Sequence, residues 1–214
     1  MRKQEKSKMK IFEIVNSHIR KNAKEYLIAS IIFLIGIVIG ITFVNNMNES
    51  QRQEIKDYLS TFENCIDTDY KINTSNLLKN SIINNTVTAV ALCFIGSTVI
   101  GMPIVYIIIA TKGFSLGYAI SSIMITYKIW KAIGFSLSSL LLQNIIIIPC
   151  LLALTVSGMK LHKSIIKDKR RENVKLEIVR HLIFSTCIAT VLVISSLIEV
   201  YVSSNISTFL IKTL

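Results

Sequence analysis

The sequence predicts an all-α, polytopic membrane helix bundle with about five transmembrane helices and a cytoplasmic N-terminus. Of its 214 residues, 51% are hydrophobic and 17% are charged, whereas a soluble domain carries about a quarter charged residues. Four long runs contain no charge, namely 26–48, 80–111, 132–159 and 182–198. Three of them reach the roughly 20 apolar residues that a membrane-spanning helix needs, and the fourth nearly does. A disulfide-stapled secreted domain, a disordered chain and a nucleic-acid-binding protein all fit poorly.

The first element is a basic segment followed by an apolar run. Residues 1–25 hold eight Lys or Arg residues against three Glu residues, and residues 26–44 are apolar. A secretory signal begins similarly. However, the run is long, and its exit at Phe43-Val44-Asn45-Asn46 lacks the small-x-small pattern of a cleavage site. We therefore predict a retained first span over 26–44, preceded by a basic cytoplasmic segment over 1–25.

The next elements are a polar segment and two further spans. Residues 45–80 hold six acidic and four basic residues and are predicted to form an extracytoplasmic, amphipathic segment. The second span is predicted over 81–110, and Lys112-Gly113 is interpreted as a tight inner turn. A third span then occupies 113–127, and its 15 residues rise only about 22 Å. If this weak span does not cross, every later segment changes sides.

The remainder of the chain is likewise divided where charged residues bound the apolar runs. Residues 128–131 form a brief outer loop, in which Trp130 suits the interfacial aromatic belt. The other predicted elements are a fourth span over 132–159, a basic cytoplasmic loop over 160–181, a fifth span over 182–201 and an extracytoplasmic tail over 202–214. With these boundaries the cytoplasmic segments hold 17 basic and 6 acidic residues, and the outer ones hold 7 of each. This asymmetry is typical of the positive-inside rule.

No residue pattern indicates an active site or a metal site. Three of the four cysteines fall within spans and only Cys65 lies outside, and a buried cysteine usually acts as a small apolar residue. The three histidines occur singly, without the spacing of a zinc site. No nucleophile motif, phosphate loop or dinucleotide fingerprint is present. We therefore predict no catalytic residue, no metal and no cofactor.

The spans carry no Asp, Glu, Lys or Arg until Glu199, at the outer edge of the fifth span. Ion-coupled transporters usually place ionisable groups near the membrane midplane. The pattern therefore argues against a coupled carrier, but it does not exclude a subunit of a larger transporter.

Small residues mark candidate helix-packing faces. Gly36 and Gly40 form a small-xxx-small pair in the first span, and Gly113 and Gly117 form another in the third. Such pairs permit close approach of helices, yet they also occur by chance. We favour packing of these faces within the chain over self-association, although a homo-oligomer is left as an alternative.

Further residues interrupt the second and fourth spans. Gly96, Gly101 and Pro103 interrupt the second, and Pro149 interrupts the fourth. Both prolines are expected at similar depth, so paired kinked helices are favoured over a substrate passage. Gln143-Asn144 falls near the middle of the predicted fourth span, where at least one amide needs a partner on another helix.

The outer segment shows one apolar helical face. It consists of Ile55, Tyr58, Leu59, Phe62 and Ile66, spaced at i, i+3, i+4, i+7 and i+11. We favour packing of this face on the chain's own spans or on the bilayer over docking of a partner.

The order of these features resembles the stage II sporulation protein M family of the bacterial engulfment machinery. The resemblance covers almost the whole chain. Its motifs are Ile95-Gly96-Ser97-Thr98-Val99-Ile100-Gly101-Met102-Pro103 with Lys112-Gly113 and Gly117, then Gln143-Asn144-Ile145-Ile146-Ile147-Ile148-Pro149, and finally Glu199-Val200-Tyr201. The family often has Pro where this chain has Leu142.

The resemblance implies a specific role. Such a protein sits in the mother-cell membrane at the sporulation septum and assembles with two peptidoglycan hydrolases, the stage II sporulation proteins D and P. It acts as a scaffold without catalytic activity, and its basic face orients it and contacts anionic lipid. The competing hypothesis is a membrane subunit of a transporter or permease-like complex. A polar cavity lined by Gln143, Asn144, Asn84 and Asn85 would favour that alternative.

Overall fold

The helical order follows the predicted alternation of apolar and polar segments. The computed structural model describes residues 19–67, 74–96, 98, 101–136, 142–167 and 171–198, apart from some side chains near helix ends. The helices are α1 (Ala23–Asn45), α2 (Glu49–Asp67), α3 (Thr74–Gly96), α4 (Gly101–Thr126), α5 (Ile129–Ser136), α6 (Leu142–Lys167) and α7 (Arg171–Ile198). The described residues contain no strand. The predicted all-α class is confirmed.

Five of these helices are long and apolar enough to cross a membrane. The spanning parts are Ala23–Asn45, Leu78–Gly96, Gly101–Thr126, Asn144–Ile166 and Val174–Leu197. Their outer faces expose large apolar side chains, such as Leu34, Val38, Phe94 and Ile107. Extensive exposed apolar surface of this kind is covered by lipid or by another protein. The predicted number of spans is confirmed, and the first span over 26–44 lies within α1.

The predicted boundary between the second and third spans is wrong. A span over 81–110, a turn at Lys112-Gly113 and a span over 113–127 were expected. Instead, α3 ends at Gly96 and α4 runs without a break from Gly101 to Thr126. Pro103 lies in the first turn of α4, where its missing N–H costs no intrahelical hydrogen bond. Helix α4 has 26 residues, and since that gives a rise of about 39 Å, the expected short span does not exist.

The predicted boundaries of the later segments also shift. The charge-free run 132–159 is divided, because its first residues belong to the short helix α5 and the spanning part of α6 is Asn144–Ile166. The predicted outer loop 128–131 is largely the start of α5, where Trp130 is 82% exposed. The predicted loop 160–181 is mostly helical, because α6 continues to Lys167 and α7 begins at Arg171.

Ion pairs connect the charged residues at these helix ends. Glu177 of α7 lies 3.9 Å from the Nζ of Lys160 and 2.9 Å from the Nη1 of Arg180. Lys163 of α6 pairs with Glu25 of α1. These contacts bring together the start of α1, the end of α6 and the start of α7. We call this the basic end of the bundle.

The opposite end is built around helix α2. The Tyr127 hydroxyl donates a hydrogen bond of 3.3 Å to the carbonyl oxygen of Leu59. Ile55 and Leu59 are half-buried against α4, whereas Tyr58 is 75% exposed. The apolar face therefore packs in part on the chain's own spans. The side chains of Phe62 and Ile66, which were assigned to the same face, lie outside the described residues.

Between the two ends, the spans share one hydrophobic core. Helix α1 packs mainly against α4, and α3 packs against α6 and α7. The buried core residues are Phe33, Ala89, Leu92, Val105, Ile109, Leu116, Ile147, Leu151, Leu154, Ile188 and Leu192.

Candidate functional site

The two small-xxx-small pairs face each other across the crossing of α1 and α4. A Cβ atom at Gly36 would overlap the carbonyl oxygen of Ala110, and one at Gly113 would overlap that of Phe33. A Cβ atom at Gly40 would lie 2.8 Å from the backbone nitrogen of Tyr118. All four glycines therefore permit backbone contact that no other residue allows.

Aromatic side chains continue the same crossing toward the opposite end. The rings of Phe43 and Phe114 meet edge-on with centroids 5.7 Å apart, and Phe114 stacks on Tyr118 at 6.2 Å. Gly40 lies within one turn of Phe43, so the close backbone approach and the ring contacts belong to one interface.

A second junction joins α3, α6 and α7 near the basic end. His181 is 2% exposed. Its Nε2 lies 3.2 Å from the carbonyl oxygen of Cys93, and its Nδ1 lies 2.9 Å from the Ser157 hydroxyl. A carbonyl only accepts hydrogen bonds, so Nε2 carries a proton, and in a neutral ring Nδ1 then accepts from the Ser157 hydroxyl. One side chain thus links three helices.

Glycines make room for this junction. A Cβ atom at Gly96 would lie 3.3 Å from the Cα of Gly158 and 3.9 Å from His181 Nε2. Gly96 of α3 and Gly158 of α6 therefore meet face to face. The pairing favoured for the second and fourth predicted spans exists as the contact of α3 with α6, and the two helices meet at Gly96 and Gly158.

The assignment of His181 to a loop is wrong, because it is buried inside α7. The sequence did carry a signal for its burial. His181 is followed at helical spacing by Ser185, Ile188 and Leu192, and all three are buried. The buried stripe of α7 therefore extends back to the histidine, beyond the point where the charge-free run begins.

Gly101 and Pro103 lie at the start of α4 rather than inside a span, whereas Pro149 lies inside a helix as predicted. A Cβ atom at Gly101 would lie 2.6 Å from the Thr98 hydroxyl and would overlap the carbonyl oxygen of Ile95. The glycine is thus required by the turn that starts α4. Pro103 is exposed in the first turn of α4, whereas Pro149 is exposed inside α6. The expected pair of kinks at one depth does not exist, because only Pro149 interrupts a helix.

The amides of the predicted polar cavity are dispersed. Asn85 is buried and donates a hydrogen bond of 3.0 Å to the Ser196 hydroxyl of α7. Asn84, the neighbouring residue, lines an open groove between α3 and α4. Asn144 begins the spanning part of α6 instead of lying at mid-span, and it lines a separate cavity of about 30 Å³. The side chain of Gln143 lies outside the described residues.

Lys112 is the most consequential departure from the sequence prediction. It was assigned to a turn, but it lies near the middle of α4, eleven residues after Gly101. Its side chain lines both the small cavity beside Asn144 and the open groove beside Asn84. An ionisable residue within a span is costly and marks a functional surface. The statement that no charged residue precedes Glu199 in the spans is therefore wrong.

The two remaining predicted site residues, Glu199 and Tyr201, lie outside the described residues. Within the described part of the chain, Cys93, Cys150 and Cys187 form no disulfide. No group of three His, Cys, Asp or Glu residues in that part is arranged to hold a metal ion.

The family model described as "Stage II sporulation protein M" matches residues 29–204. The chain belongs to the stage II sporulation protein M family. The match contains all five spans from Ala29 onward, together with both helix junctions and Lys112. Membership in this family makes the protein a sporulation-related, multi-pass membrane protein.

Comparison with individual proteins adds one relative. An uncharacterized protein of Methanocaldococcus jannaschii is 24% identical over 184 residues, which cover 84% of this chain and 94% of the relative. The similarity thus covers most of this chain and nearly all of the relative. No solved structure matches the chain.

Proposed function

We propose that this protein is a non-enzymatic membrane scaffold that assembles and localises septal peptidoglycan hydrolases during engulfment in endospore formation. The stage II sporulation proteins D and P are the proposed partners, and the mother-cell membrane at the septum is the proposed location. The observation that carries the proposal is the family match over residues 29–204.

The packing of the bundle supports a scaffold. Backbone contacts at four glycines fix the α1–α4 crossing, and His181 fixes α3, α6 and α7 to one another. The small cavity among Phe33, Lys112 and Asn144 measures about 30 Å³, which is room for only about two water molecules. A closely packed helix bundle of this kind is suited to binding partner proteins on its outer surface.

The charge distribution supports a cytoplasmic basic end. The cations Lys24, Lys160, Lys163, Lys175 and Arg180 all lie at the ends of α1, α6 and α7 that meet there. By the positive-inside rule this end faces the cytoplasm. Helix α2 and the opposite end then face the septal wall, on the side where wall hydrolases act.

Fluorescent fusions test the scaffold role in sporulating cells. In a strain lacking this gene, fusions of stage II sporulation proteins D and P are expected to lose their septal position. A full-length copy of the chain should restore it. Normal hydrolase localisation in the deletion strain, with no co-purification after mild detergent extraction, would refute the scaffold.

The second candidate remains a transporter subunit, and Lys112 is the observation that favours it. Intramembrane cations mark pathways in transporters as well as binding surfaces. Purified protein in liposomes distinguishes the two roles, because a scaffold should leave the flux of small ions and metabolites at the level of empty liposomes. A flux abolished by Lys112→Met would establish the transporter instead.

A further inference from the structure

Two polar side chains that have no hydrogen-bond or ion-pair partner among the described residues line one groove near the middle of the spans. The groove lies between α3 and α4, has a volume of about 400 Å³ and includes Asn84 and Lys112. Asn84 precedes the end of α3 by 12 residues and Lys112 follows the start of α4 by 11 residues. Both side chains therefore lie about 17 or 18 Å along their helices from the basic end.

The groove differs from the other exposed surfaces of the spans. Asn84, Thr111 and Ser115 are exposed and Lys112 is half-buried, whereas the neighbouring exposed positions of α3 and α4 are apolar, as at Phe94 and Ile107. If lipid alone covered this strip, a charge and an amide would face hydrocarbon.

The hydroxyl groups of the groove are already satisfied. Thr111 donates to the carbonyl oxygen of Ile108 and Ser115 to that of Thr111, each at 2.9 Å. Thr88 donates at 2.8 Å to the carbonyl oxygen of Asn84. By contrast, the Lys112 ammonium and the Asn84 amide form no side-chain hydrogen bond or ion pair with any described residue. Among the described residues, the groove therefore leaves one cation and one amide without a hydrogen-bond partner.

The described spans of a second copy of the chain do not supply the missing anion. The spanning parts Leu78–Gly96, Gly101–Thr126 and Asn144–Ile166 contain no Asp or Glu. In the other two, Glu25 and Glu177 lie at the basic end, where they pair with lysine and arginine side chains. No described span of a second copy can bring a carboxylate to the depth of Lys112.

We propose that the groove between α3 and α4 binds a transmembrane helix of a different protein, which presents an Asp or Glu carboxylate to Lys112 and a polar group to Asn84. This inference rests on the proposed scaffold function for the existence of membrane partners and assigns the surface that holds one of them. The small side chains of Thr88, Ala91 and Ser115 allow the backbone of that helix to approach closely.

A synthetic helix provides the first test. The full-length protein is placed in nanodiscs with a labelled 20-residue Leu/Ala transmembrane peptide that carries one central Asp, and binding is followed by energy transfer. The Asp peptide should bind more than about tenfold tighter than the all-apolar peptide. Lys112→Met should abolish that difference, Lys112→Arg should preserve it, and Ile107→Met on an exposed face of α4 should leave it unchanged. Equal binding of both peptides, or full binding to Lys112→Met, would overturn the proposal.

Photo-crosslinking in sporulating cells provides the second test. A photoreactive residue at Ser115 should capture a membrane protein whose transmembrane segment contains an acidic residue, and capture should fall with Lys112→Met. The same probe at Val38 serves as the control. Capture of lipid alone, of a second copy of this chain, or of a segment without an acidic residue would overturn the inference. Hydrolases that still co-purify with Lys112→Met, without crosslinking at Ser115, would refute the groove and leave the scaffold role standing.

Discussion

The backbone carbonyl of Phe33 in α1 lies directly against Gly113 in α4, at a point where any side chain would overlap it. The reciprocal contact places Gly36 against the carbonyl of Ala110. The crossing therefore depends on close backbone contact in addition to the contacts of large side chains, whose burial alone provides little net driving force between helices in lipid.

Replacing Gly113 by Leu is expected to destabilise the protein by about 2 kcal/mol or more, because the added side chain forces α1 and α4 apart. The measurement is the apparent melting temperature of the purified protein in detergent. Ile107→Phe adds bulk at an exposed position of the same helix and should leave the melting temperature nearly unchanged. A Gly113→Leu variant as stable as the unaltered protein would contradict the glycine crossing.

Replacing His181 by Leu should cost about 1–3 kcal/mol, since it removes hydrogen bonds to two other helices and leaves the Ser157 hydroxyl without its acceptor. Thermal unfolding in detergent measures the effect. His162→Leu is the matched control, because the buried His162 Nδ1 has no hydrogen-bond partner within the described part of the chain. Equal losses from the two substitutions would show that the bridge contributes nothing specific.

The adjacent residues Asn84 and Asn85 should respond differently to substitution by Leu. Asn85→Leu removes the hydrogen bond to Ser196, worth about 0.6 kcal/mol on average and at most about 1.7. Ser196→Ala should have a similar effect, and the double variant should be less destabilised than the sum of the two. Asn84→Leu should leave the melting temperature unchanged. Additive effects of Asn85→Leu and Ser196→Ala would disprove the interhelical bond.

Cysteine labelling tests the proposed orientation in intact protoplasts. Cys65 should react with a membrane-impermeant maleimide, because the end of the bundle that carries α2 is proposed to face outward. Cys65→Ser should remove the label, and a cysteine introduced at Lys169 should stay unlabelled until the membrane is opened. Labelling at position 169 but not at 65 would invert the topology.

The sequence predicts the number of spans well, because a charge-free run of about 20 residues is a direct requirement of the hydrocarbon layer. It also identifies the four glycines of the α1–α4 crossing as candidates for close packing. Which glycines meet depends on the tertiary arrangement, however, and spacing alone does not reveal that Gly36 lies near Ala110 while Gly113 lies near Phe33.

The misplaced boundary at Lys112-Gly113 has a clear physical origin. A lysine followed by a glycine in an apolar run is typical of a turn, since the charge favours water and the glycine ends a helix. In α4 the two residues have other roles: the glycine receives the backbone of α1, and the lysine faces a groove. The true break follows Gly96, where Gly96, Gly101 and Pro103 are typical of a turn but no charged residue divides the run, so a boundary placed by charge missed it.

The α1–α4 crossing also constrains the order in which the protein is made. Gly36 and Gly113 are separated by about 77 residues. At bacterial translation rates of roughly 5–20 residues per second, the partner segment of α4 is synthesised roughly 4 to 15 seconds after that of α1. During that interval its glycine face has no counterpart from the same chain. Correct folding therefore requires that α1 does not pack against other membrane helices before α4 leaves the ribosome. A slower ribosome or a crowded insertion site would favour mispairing at this step.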